Sequence, residues 1–201
     1  MVLGSRPQAF PMDPEMFTDV MVDLETTGTQ PDRTGILQIA AVRFNLLTGE
    51  VDENFFDECL MLPPNRFWAE DTRYWWSNQK PGVLAKILAR GRPPGEVMQE
   101  FVDFCRPVNH LRFWSKPVTF DFPFLSSYCR DFGFPMPFSF REATDMNTFI
   151  RSRFHPNPIP DLDVPFEGDE HNALFDSLHQ IGMVLEAVRV SSQEIQARVE
   201  T

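Results

Sequence analysis

Hydrophobic positions along the chain fall into short runs set apart by polar, Pro-rich and Gly-containing punctuation. Near the start, Val20, Met21 and Val22 form an apolar run inside "DVMVDLETTG", which predicts a buried strand over Asp19–Leu24. The polar stretch "TTGTQPDRTG" reads as a loop. "ILQIAAVRFNLLTGEVDENFF" is rich in β-branched and aromatic residues on both sides of Leu47-Thr48-Gly49-Glu50. It predicts a hairpin, and with the first strand an antiparallel meander. A short helix is expected from about Pro81 to Ala89, with Pro81 in its first turn. In "PGEVMQEFVDFCRPV", Val97, Phe101, Phe104 and Cys105 recur at helical spacing, and Pro107 ends the element.

Further on, "LRFWS" is a short strand, and "TFDFPFLSSYCRDFGF" opens a helix carrying Phe124, Leu125 and Tyr128. "EATDMNTFIRSRF" reads as another helix, and the Pro- and Asp-rich "HPNPIPDLDVPFEGD" as a loop. The last helix is expected from about Glu170 to Arg189 or beyond, with Leu174, Leu178, Ile181, Leu185 and Val188 as its apolar stripe. Early strands followed by alternating helices and strands predict one α/β domain with a mixed sheet. That domain spans 19–190, with 1–18 a lead-in of uncertain order and 191–201 a helical extension or tail.

Composition changes the picture little. With 201 residues, 42% of them hydrophobic, the chain can bury a sizeable core. Its 20 phenylalanines against 2 tyrosines make that core aromatic. No apolar run is long enough for a bilayer and no segment has a signal-peptide layout, so a cytoplasmic protein with no membrane partner is expected. Cys59, Cys105 and Cys129 are scattered and odd in number, which favours buried thiols in a reducing compartment. Net charge does matter. At −11 it argues against broad duplex binding. Carboxylates that bind divalent cations would reverse the field locally, leaving room for a small cleft that grips a few nucleotides.

The candidate chemistry starts at the end of the first strand. Residues i and i+2 share a strand face, so Asp23 and Glu25 project together. Two adjacent acids repel unless a cation lies between them, and a hard divalent ion suits such oxygen ligands. A solvated strand end would look the same. Asp121, between Phe120 and Phe122, lies where strand gives way to helix, and either a ligand or a helix N-cap fits it. His171 and Asp176 are five apart. On an ideal helix they lie over a third of a turn out of line, and a frayed first turn would let both reach one place.

In order, "DLETTG", "VTFDFPFL" and "HNALFDS" resemble the three motifs of the DnaQ-like, DEDDh group of 3′–5′ exonucleases, over roughly 19–187. "YWWSNQ" is similar to a segment of the compact phage and mycobacterial subgroup. The chain departs from that subgroup at "REATD", where Asp145 is given no catalytic role, and at Phe175, where many relatives carry a second acid.

The resemblance implies a ribonuclease-H-like fold with a mixed five-stranded sheet, three early antiparallel strands plus two parallel ones. It implies two divalent ions, Mg²⁺ or Mn²⁺, ~4 Å apart and held by Asp23, Glu25, Asp121 and Asp176. His171 would be the general base, and an imidazole of pKa ~6.5 is free to accept a proton near neutrality. The substrate would be a single-stranded DNA or RNA 3′ end. Thr26, Thr27 and Gly28 could offer backbone N–H groups to its terminal nucleotide, and Trp75 or Trp76 could stack on bases. Trp114 and Phe120 are expected in the core or the pocket wall. Arg66, Arg73 and Lys80, around the Trp pair, either contact phosphates or are solvated. With no long linker or second domain evident, a stand-alone nuclease is expected, and the sequence leaves its oligomeric state open. The competing readings are an exoribonuclease, a silent nucleic-acid-binding module on the same fold, and an acidic mimic. Acids spread through the chain rather than clustered count against the last.

Overall fold

The computed structural model describes residues 16–106 and 111–199. The chain begins with β1 (Asp19–Thr26), β2 (Ile36–Phe44) and β3 (Phe56–Cys59), then three helices, α1 (Glu70–Gln79), α2 (Pro81–Ala89) and α3 (Pro94–Cys105). It continues through β4 (Arg112–Ser115), α4 (Val118–Phe132), β5 (Ala143–Asp145), α5 (Met146–Phe154) and α6 (Ala173–Val199). The five strands form one sheet in the order β3-β2-β1-β4-β5. β1–β2 and β2–β3 pair antiparallel, while β1–β4 and β4–β5 pair parallel. This is the mixed architecture expected from the motifs.

β1 is the central strand, covered on both faces, which is why it is apolar almost throughout. Val20, Val22 and Leu24 face one core with Val97, Phe101 and Phe124 of α3 and α4. Met21 faces the other, with Trp114 of β4 and Ile150, Ile181 and Val184 of α5 and α6. Alternation puts Asp23 and Glu25 on the Met21 face, toward α6. The register runs from Asp19↔Phe44 to Glu25↔Gln38 and then slips, so that Thr26 pairs with Ile36. A bulge of this kind twists a strand end and re-aims its side chains. Here it lies beside Glu25.

Several boundaries differ from those predicted. β1 extends two residues beyond Leu24, because Glu25 and Thr26 stay in the ladder with β2. After the Asn45–Glu50 turn only Val51 bridges back to Phe44, and the third strand begins at Phe56. "EATD" is not helical: Ala143–Asp145 forms the edge strand, and the helix starts at Met146. α6 starts at Ala173, not Glu170. Its inward face is Ala173, Leu174, Ser177, Gln180, Ile181, Val184, Ala187 and Ser191, whereas Leu178 is exposed. The stripe rotates because small and polar residues are what fit closely against the sheet. α1 carries no clear apolar period and was not legible beforehand. Phe17, assigned to the lead-in, is fully buried, while residues 1–15 and Pro107 lie outside the described residues. All three cysteines are buried free thiols. No helix among the described residues is long and apolar enough to cross a membrane.

Candidate active site

The acidic residues converge at the carboxyl ends of β1 and β4. Asp23 and Glu25 come from β1, Asp121 from the first turn of α4, and Asp176 from the first turn of α6. Glu25, His171 and Asp176 offer ligand atoms that all lie within 4.8 Å of one another. Asp121 does not cap its helix. Pro117 holds the N-cap position, and Asp121 is buried with Oδ2 unpartnered among the described residues. A buried carboxylate oxygen without a donor is costly and calls for a cation.

The electrostatics say the same. Burial, then the charge of Asp176, pushes Asp23 up from its ordinary 3.8 to about 7, against a hydrogen bond from Gln180 and the charge of Lys116. Burial lifts Glu25 well above the usual range, reinforced by Asp23, Asp176 and Asp121. Asp121 is raised by burial and then by Asp23. Burial also raises Asp176, opposed by His171 and Lys116. Four acids raised together by burial are a site short of positive charge. An all-oxygen carboxylate set with one imidazole at its edge fits hard divalent ions such as Mg²⁺ or Mn²⁺.

His171 is not in a frayed helical turn. It precedes α6 in a left-handed backbone conformation with φ of 61°. Its ring packs edge-on to Trp75 at 4.8 Å between centroids. The turn is tied down by a residue of β2 that no motif marks. Gln38, fully buried on β2 opposite Glu25, accepts from the Ala173 N–H at 3.2 Å and donates to Asn172 Oδ1 at 3.4 Å and Asp57 Oδ1 at 2.7 Å. A glutamine inside the apolar run "ILQIAAV" was the available signal. Gln180, one turn beyond Asp176, donates to Asp23 Oδ1 at 2.7 Å. Its i+4 spacing from Asp176 was a signal too. Phe175 packs against Gly168, whose φ of 99° and lack of a Cβ admit the ring.

The expected substrate contacts divide. Trp75 is partly exposed at 37%, so it keeps a ring surface open. Trp76 has no face to stack on a base: it is 2% exposed, and its indole N–H donates to the Thr26 carbonyl at 3.1 Å. Thr27 has neither amide nor hydroxyl to spare. Its N–H donates to Gly35 O at 2.8 Å, and its hydroxyl donates to Phe67 O while accepting from the Gly35 N–H. The Thr26 hydroxyl is committed to Gly28 O at 2.8 Å. Gly28 is required by packing, since a Cβ there would lie 2.6 Å from Thr34 Cγ2 and 2.9 Å from Ala69 Cβ. Trp114 is buried in the core on the Met21 face, and Phe120, partly buried, packs against the core on the opposite face.

Arg66 is neither solvated nor free for phosphate. It is buried, donating to the Pro31 and Thr34 carbonyls, Ser127 and Asp131, with its guanidinium over the Tyr128 ring. Lys80 pairs with Glu170 at 2.8 Å, and Arg73 is exposed over Trp68. Asp145 caps α5, accepting from the Thr148 N–H at 2.8 Å, and also accepts from Val118 N–H at 3.1 Å.

A family model described as a 3′–5′ exoribonuclease Rv2179c-like domain matches residues 18–188. The chain belongs to this family. Membership places it among 3′–5′ exonuclease domains of the DnaQ-like, ribonuclease-H-like kind. Exonuclease I from Methylocaldum szegediense superposes with a TM-score of 0.64 at 17% identity, covering 85% of this chain and 40% of that one. An exonuclease I structure concerned with how processivity is achieved gives 0.67 at 14% identity, over 89% and 43%. E. coli exonuclease I in complex with a dA16 oligonucleotide gives 0.61 at 15%, over 85% and 40%. At these identities the likeness is one of fold, and the chain spans about two fifths of the length of those proteins. No curated protein matches the sequence.

Proposed function

We propose that the protein is a metal-dependent 3′–5′ exonuclease that removes nucleoside monophosphates from single-stranded 3′ ends. The observation that carries this reading is the convergence of four carboxyls, each raised by burial, with His171 at the end of β1. In this reading Asp23, Glu25, Asp121 and Asp176 hold two divalent cations. When bound, such ions would lower the pKa of an attacking water and compensate charge at the leaving 3′ oxygen. His171, at the edge of the carboxylates, would accept the proton of the attacking water. Its ring is held against Trp75, and its turn is anchored through Gln38, so little reorientation is needed during the reaction. Asp23 keeps its orientation through the Gln180 amide. The open surface of Trp75 suits stacking on the 3′-terminal base, an interaction indifferent to sequence.

The family description favours RNA as the substrate. The discriminating contact would be to the 2′ hydroxyl. The test is to incubate purified protein with 5′-labelled single-stranded DNA and RNA of one sequence, in Mg²⁺, Mn²⁺ or EDTA, beside Asp23→Ala and His171→Ala. A ladder shortening from the 3′ end, lost in EDTA and in both variants, supports the reading and ranks the two sugars. Failure of the intact protein to shorten either strand in any metal would overturn it in favour of the silent binding module.

A further inference from the structure

Almost every cation in this chain is already engaged. Each lysine or arginine with a described side chain is held by an acid or lies over an aromatic ring, except two, Lys116 and Arg151. Neither of these makes an ion pair or a side-chain hydrogen bond among the described residues. Both are exposed, and both line one cavity of about 270 Å³ together with Asn147, Ile150, Asp161 and His179. Asp161 is the cavity's acid, and it pairs with neither cation.

The position of this cavity follows from the sheet order. Lys116 comes directly after β4, and Arg151 lies in α5, which follows β5; both strands are on one side of β1. The Trp75–His171 corner is tied to the other side. Trp76 holds the end of β1, and Gln38 of β2 holds the start of α6. The carboxylates therefore lie between an aromatic corner and a cationic one. Lys116 is near enough to the centre for its charge to favour ionised Asp23 and Asp176. In a chain of net charge −11, a polyanion approaching four carboxylates needs local positive charge to offset the repulsion.

We propose that Lys116 and Arg151 form a phosphate subsite for the strand on the 5′ side of the scissile bond. The terminal nucleotide then occupies the Trp75 side of the carboxylates, and the backbone leaves across β4 toward α5. The cavity is close in size to the ~300 Å³ at which small-ligand pockets begin, so it suits one sugar–phosphate unit. This inference rests on the exonuclease reading.

The test measures binding and cleavage in parallel. Binding of a short fluorescein-labelled oligonucleotide is followed by anisotropy in Ca²⁺ across a salt series, and cleavage of the same strand in Mg²⁺. Lys116→Ala/Arg151→Ala should weaken binding about tenfold and lower the slope of log affinity against log salt by about 1.4, two phosphate contacts at ~0.7 each. Lys116→Arg/Arg151→Lys should restore both, which separates charge from folding. Unchanged affinity and slope in the double alanine variant, with normal cleavage by the intact protein, overturns the subsite alone. Binding with the expected slope change, but without cleavage by the intact protein, overturns the exonuclease reading and supports the phosphate subsite.

Discussion

The burial of the carboxylates, and with it their repulsion, should be visible as instability of the metal-free protein. Asp23 is raised from 3.8 to about 7. In the unfolded chain the group ionises near its ordinary value, so between roughly pH 4 and 7 the folded state holds a proton that the unfolded state has released. Stability from this group is therefore full below about pH 4 and declines as pH rises through the window, with the whole penalty present above pH 7. At about 1.4 kcal/mol per unit the penalty is on the order of 4 kcal/mol, an upper figure because Asp23 keeps part of its surface in water. Glu25, Asp121 and Asp176 share the same repulsion, so their contributions do not add independently.

Asp23→Asn removes the charge and keeps an oxygen for the Gln180 amide. In EDTA at pH 8 it should raise the thermal midpoint, by up to about 10 °C for a domain of this size. At about pH 3.5 the difference should nearly vanish. A divalent ion at a hundred times its Kd should stabilise the parent protein by about 2.7 kcal/mol, and the variant by much less. Melting curves by circular dichroism at a series of pH values, with EDTA or with Mn²⁺, give all of these numbers. An Asp23→Asn variant that melts lower than the parent in EDTA at pH 8 would refute the reasoning, because Asp23 would then be a satisfied structural acid.

Other consequences concern neighbours of the site. Trp76→Phe strands the Thr26 carbonyl and should cost about 1–3 kcal/mol in a urea unfolding series. Trp75→Ala should cost about 1 kcal/mol yet lower kcat about tenfold, a fraction of the 10²–10⁴ a general base contributes; single-turnover cleavage tests this, and an unchanged kcat would remove Trp75 from any part in orienting His171. Gly28→Ala forces a methyl against Thr34 and Ala69 and should cost about 1–3 kcal/mol by overpacking, measurable as a lower denaturation midpoint. Arg66→Met breaks a buried guanidinium network and should destabilise by about 3 kcal/mol, without changing the salt dependence of oligonucleotide binding as a phosphate contact would.

Part of the site was legible at short range, because Asp23 and Glu25 share a face in any strand. Asp121, His171 and Asp176 were joined to them only by a motif order that resembles that of the DEDDh group. What failed depended on context. Ala143–Asp145, read as part of the helix that follows, instead complete the sheet beside β4, because the parallel ladder outweighs the local pattern. Adjacent tryptophans in α1 look alike in sequence, but they point about 100° apart on a helix, so that one faces His171 and the other the core. Arg66 looked like a surface cation until the Thr34 and Pro31 carbonyls closed around it.

The sequence by itself determined the central apolar strand and the shared face of Asp23 and Glu25, since period-two alternation acts within a few residues, while the ribonuclease-H-like fold and the set of five residues were implied by the order of three motifs that resemble those of a family. Only the tertiary structure decided which acids face one another, that His171 sits in a left-handed turn ahead of α6, that Gln38 and Gln180 hold the constellation, and that Lys116 and Arg151 stand unpaired beside it. Those are relations between segments distant in the chain. Packing and burial set them, and no local pattern encodes them.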